Sequence, residues 1–163
     1  METTTEATAL TKEQLSRGHI KKHMLGAMAV ALIPLPVVDL AAVAAVQIKM
    51  LAGMSKIYNV SFNENRAKNI LAGLVGSFGA NAMATGLVAS AVKIVPVFGQ
   101  FGGAVAMPLV AGAATYAVGN VFVQHFESGG TFLDFDPEKT REYFAQQFTE
   151  GQKVAADLRE AGK

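Results

Sequence analysis

Between Asn69 and Gln124 the chain carries a single charged residue, Lys93. A helix on a water-facing surface normally shows a polar or charged stripe. A stretch of this length without one demands cover from lipid, from another copy or from the rest of the chain. The stretch divides at Lys93-Ile94-Val95-Pro96 into two apolar arms, residues 69–92 and 104–126. As helices they would each be ~35 Å long at ~1.5 Å per residue, against a hydrocarbon core ~30 Å thick. Residues 95–103 hold Pro96 and three glycines, the composition of a turn. The pattern predicts an all-α chain built on a membrane-inserting helical hairpin.

Small residues recur along both arms: Gly73, Gly76, Gly79 and Gly86 in the first, Ala111, Thr115 and Gly119 in the second. Glycines inside a water-exposed helix cost ~1 kcal/mol each against alanine. In lipid they let helix backbones approach closely. They therefore predict a helix-packing face and self-association into a homo-oligomer. Neither arm carries a Lys or Arg, and every Lys and Arg except Lys93, between the arms, lies on the side of the termini. The positive-inside rule then places both termini in the cytoplasm and the hairpin in a bacterial inner membrane. The acidic, Thr-rich start Met1 to Glu6 lacks the basic and apolar run of a secretory signal, so no cleaved leader is expected.

The flanks read as helices with recognisable ends. Residues 1–10 are expected to be disordered, 11–128 to form the membrane-associated helical domain, and 129–163 a linker and an amphipathic C-terminal helix. Thr11 and Gln14 form a capping box, and Ser61 with Glu64 reads as a second. Arg17, Lys21 and Lys22 precede the first apolar run and suit an anionic membrane surface. His19 and His23 share a helical face at a metal-ligating spacing, but no third ligand is near, and a basic interfacial helix is the plainer reading. Pro34 and Pro36 break the helix that contains them, giving a proline-broken helix pair. Asp39 then falls in the first turn of a new helix, where a carboxylate meets free N–H groups. That helix presents Val43, Gln47, Met50, Leu51, Met54 and Tyr58 on one face. Asp136-Pro137-Glu138 reads as a helix start, and Tyr143, Phe144, Phe148, Val154, Ala155 and Leu158 mark the apolar face of the last helix.

Chemistry is sparse. There is no Cys, which excludes thiolate catalysis and disulfides. No Ser/His/Asp arrangement, metal-ligand cluster, cofactor motif or basic nucleic-acid patch stands out. An enzyme is not expected.

Ile33-Pro34-Leu35-Pro36-Val37-Val38-Asp39-Leu40, then Gln47, Met50, Leu51 and Ile57-Tyr58, then a capped helix into a Gly-rich arm, resemble the YcjF-like family of bacterial domains. The resemblance continues through Lys93-Ile94-Val95-Pro96 and Gly102-Gly103 to Ala114-Thr115, covering residues 18–128. It implies a helical module of unknown function at the bacterial inner membrane, working with a GTPase. The chain has no G-x-x-x-x-G-K-[ST] loop, so the GTPase would be a separate partner. Three functions are consistent with this reading: a membrane-embedded scaffold that self-associates, a small oligomeric channel or transporter, and a soluble assembly whose arms are buried between subunits.

Overall fold

The computed structural model describes residues 10–33, 36–85 and 102–162. Pro34, Gly86, Lys93 and Pro96 lie outside the described residues, as do residues 1–9. Among the described residues there are five α-helices and no strand: α1 (Lys12–Val30), α2 (Pro36–Ile57), α3 (Glu64–Thr85), α4 (Gly102–Glu127) and α5 (Arg141–Ala161).

The helix ends follow from local chemistry. The Thr11 hydroxyl accepts from the Gln14 amide at 3.2 Å, and the Gln14 side chain accepts from the Thr11 amide at 2.9 Å, completing the capping box. α1 runs on through Met24 to Val30 and stops short of the proline pair. α2 opens at Pro36, as the fixed φ of proline favours at a first helical position. It ends at a turn where Asn59 takes φ 56°, a left-handed conformation that asparagine tolerates. The cap of α3 is Asn63 and not Ser61: the Asn63 side chain accepts from the Arg66 amide at 2.9 Å, and the helix starts after it. The Asp136 carboxylate accepts from the Glu138 amide at 3.0 Å. This closes a turn, and α5 begins three residues later than the sequence suggested.

α4 is the central helix. Residues 111–115, 117–119 and 121–122 are all buried, so the helix is enclosed on almost every side. α1 packs antiparallel to it: Ile20 lies at Gly119, Met28 at Gly112, and Ala27 and Ala31 at Ala111. α2 lies beside α1 and runs parallel to α4, with Gln47 meeting Thr115 and Tyr58 meeting Glu127. α5 crosses the other side as a strap. Phe144 and Phe148 meet Phe78 of α3, Gly151 lies on the backbone of α4 at Ala113, and Ala155 closes over Gly112. The apolar face predicted for the last helix is the one that is buried. At the far end of α4 the aromatic rings of Phe122, Phe126, Phe132 and Phe135 pack together, with Phe122 and Phe135 stacked at 4.6 Å.

Residues 86–92 of the first expected membrane-crossing arm, and 95–101 of the turn after it, lie outside the described residues. Among the described residues no helix is long and apolar enough to cross a membrane. In α4 the apolar run is diluted by Thr115, Tyr116, Asn120 and Gln124, and its apolarity answers to protein neighbours. A helix that is apolar all round is one that is buried, and α1, α2 and α5 supply the cover.

Candidate functional site

α3 is different. Ala67, Ile70, Leu71, Leu74 and Phe78 are buried on one face. Beyond Lys68 its opposite face shows Ala72, Val75 and Gly76 to the outside. α2 likewise leaves Ala41 and Ala45 exposed. Burial within the chain accounts for the missing charges of α4 and leaves those of α2 and α3 unexplained. Between these two helices and α4 lies a groove of about 890 Å³, within the ~300–1,000 Å³ of ordinary ligand sites.

Its floor is polar at one point. The Gln47 side-chain amide, buried, donates to the Thr115 hydroxyl at 3.2 Å, and that hydroxyl donates to the Ala111 carbonyl at 2.8 Å. Each group is supplied with a partner, as burial requires. Its charged members are Lys49, Glu64 and Lys68, and Glu64 and Lys68 form an exposed ion pair at 2.7 Å. A second cleft, of about 810 Å³, lies between α1, α4 and α5 and includes Arg17, Lys21, Tyr116, Tyr143 and Asp157.

The sequence-predicted residues are distributed as follows. Gln47, Ala111 and Thr115 come together at the groove floor, and Gly76 lies on its wall. Gly119 receives Ile20 of α1, and Gly73 faces Pro137 across 3.4 Å from where a Cβ would sit. Gly79 lies within α3, and Pro36 and Asp39 lie in the first turn of α2. Arg17, Lys21 and Lys22 are exposed on α1, with Arg17 paired to Glu13 at 2.6 Å. Among the described residues, Gly73 and Gly119 thus face different neighbours, Pro137 before α5 and Ile20 of α1, and share no seam.

His19 ties α1 to α2, and His23 bonds within α1. His19 Nε2 donates to the Met50 carbonyl at 3.0 Å, and His23 Nδ1 donates to the His19 carbonyl at 2.8 Å. A Cβ at Gly53 would fall on the His19 ring, so this glycine admits the imidazole between α1 and α2. Burial lowers the His19 pKa below its usual 6.5, and the bond to Met50 opposes that only in part. No group of three or more His, Cys, Asp or Glu that could hold a metal occurs among the described residues. Sequence reading missed Lys49 and Lys68 as neighbours. The signal lay in the short turn at 59–63, which folds α3 back along α2.

An all-helical domain with a buried central helix and an open groove, apolar except at its Lys49, Glu64 and Lys68 end, is the class of protein that this fold defines. Residues 3–153 match the family described as a domain of unknown function, DUF697. The chain belongs to that family. A relative, magnetosome membrane protein 22 of Magnetospirillum gryphiswaldense, is 33% identical over 148 residues, which is 91% of this chain and 76% of that protein. No solved structure matches the chain.

Proposed function

We infer that this chain is a membrane-associated structural module that meets the bilayer with one end of its helical bundle. The observation that carries this is the coincidence of charge-poor segments. α1 and α4 are antiparallel, and α2 and α4 are parallel. The end of α1 and the starts of α2 and α4 therefore lie at one end, and the end of α3 joins them. Residues 24–48 contain one charged residue, Asp39, and residues 69–124 contain one, Lys93. Leu32, Ile33, Val75 and Met107 are exposed there. Exposed apolar surface gathered at one end marks a membrane or protein contact, and the relative named as a membrane protein supports the first.

On this reading the module is a scaffold and not an enzyme. It sits at the bacterial inner membrane with its charged end and both termini in the cytoplasm. Copies associate through charge-poor surface at the apolar end of the bundle, and a separate GTPase is the candidate partner, as the YcjF-like resemblance implies. The groove floor favours the scaffold over the channel, because its polar groups are bonded to one another. Alkaline carbonate extraction tests the reading. The chain is expected to stay with the membrane pellet, and recovery in the supernatant overturns it.

A further inference from the structure

The groove has a polarity along its length that bilayer contact does not use. Lys49 of α2 and Glu64 and Lys68 of α3 lie towards one end, and Ala41, Gly76 and Met107 towards the other. The span from Lys49 to Ala41, or from Lys68 to Gly76, is about 12 Å at ~1.5 Å per residue. Between these ends the wall is hydrocarbon, chiefly alanine. Small side chains on two helices leave a slot with no aromatic plate and no row of donors, which suits an unbranched aliphatic chain better than a ring or a sugar.

Charge narrows the ligand further. The two lysines and one glutamate leave a single positive charge at that end. Glu64 is committed to Lys68, and among the described residues no carboxylate lies within the 4.0 Å of an ion pair from Lys49. One unbalanced ammonium at the mouth of an apolar slot complements one carboxylate on one tail. We propose that the groove binds a long-chain fatty acid, its carboxylate at Lys49, the near part of its tail in the slot and the remainder passing beyond Met107. The carboxylate end of the site, at Lys49, stands apart from the bilayer contact proposed above, whereas its tail end, at Val75 and Met107, shares that surface.

Titration of the full-length chain with cis-parinaric acid, a fluorescent fatty acid, followed by displacement with hexadecanoic acid or hexadecanol, tests the proposal. Saturable binding is expected, with the acid displacing the probe roughly tenfold better than the alcohol. Lys49→Glu should remove that preference and leave displacement by the alcohol unchanged. Ala44→Trp fills the slot and should weaken both by roughly tenfold or more, with helicity by circular dichroism unchanged. Should Ala44→Trp misfold, Ala72→Phe on the exposed wall replaces it. Equal displacement by acid and alcohol in the unaltered chain overturns the proposal. So does an unaltered preference in Lys49→Glu, or full binding in the filled variant. Sedimentation that shows a dimer dispersed by Ala44→Trp would assign the groove to a second copy and overturn it too. Vesicle flotation of Ala44→Trp keeps the two readings separate: flotation retained while the probe is lost supports fatty-acid binding as a property of the groove itself, whereas joint loss overturns it and leaves the groove part of the bilayer contact.

Discussion

At the scale of single residues, the glycines divide by what they touch. A Cβ on Gly119 would lie 2.6 Å from Ile20, whereas one on Gly76 meets nothing within 4 Å. Gly119→Val therefore overpacks a buried contact and is expected to lower stability by ~1–3 kcal/mol in thermal or denaturant unfolding. Gly76→Ala adds helix propensity at no steric cost and should raise it by about 0.4–1 kcal/mol. If Gly76 seats a second copy in solution, the same change weakens self-association, which sedimentation would read separately. His19 gives a pH dependence with a definite sign. Its folded-state pKa lies below 6.5 because burial disfavours the cation. The unfolded chain then binds more protons than the folded one between those two values. The contribution is complete above about pH 6.5 and is lost as pH falls through the lowered pKa. Melting temperature measured across that interval should fall with pH, and His19→Gln should flatten the slope. An unchanged slope in the variant would remove His19 as its source.

At the scale of elements, what the sequence made legible was the helices and most of their ends. The Thr11–Gln14 box, the proline break and the amphipathic last helix depend on neighbours within one turn, and such signals are local. Partner choice was not legible. A small residue every third or fourth position states that something packs closely there, and does not state what. The faces of Gly119 and Ala111 receive α1, while the arm expected to meet them presents its own outer face to the groove. Ser61 and Asn63 show the same limit on a smaller scale: both can cap, and the turn geometry decided for Asn63. The strap α5 carries much of the packing that lipid was expected to provide. Phe148 is buried against Phe78, with ring centroids 4.8 Å apart. Phe148→Ala should cost ~3–5 kcal/mol by denaturant unfolding. A cost under about 1 kcal/mol would mean that α5 is only loosely docked, since a buried phenyl cannot be removed that cheaply.

At the scale of the whole molecule, the distribution of charge is the informative quantity. The near balance of 14 basic and 13 acidic residues conceals a bundle with one apolar end and one charged end. Leu133 provides an internal control for that asymmetry. Among the described residues it is the most exposed large apolar side chain, at 69%, and it lies in the loop after α4, at the charged end. Leu32 and Ile33, at 65% and 46% exposed, close α1 at the apolar end. If general stickiness drives membrane attachment, Leu133→Glu and the pair Leu32→Glu/Ile33→Glu should weaken vesicle flotation alike. If the apolar end is the contact, only the pair should. Burying one such side chain contributes ~1.5–3 kcal/mol, and each 1.4 kcal/mol is a factor of ten. The pair is thus expected to reduce partitioning on the order of a hundredfold or more, with Leu133→Glu unchanged. All three sites are exposed, so folding should survive, and circular dichroism checks that it does. Equal losses, or a loss confined to Leu133→Glu, would move the membrane contact away from the end at which the charge-poor helices meet.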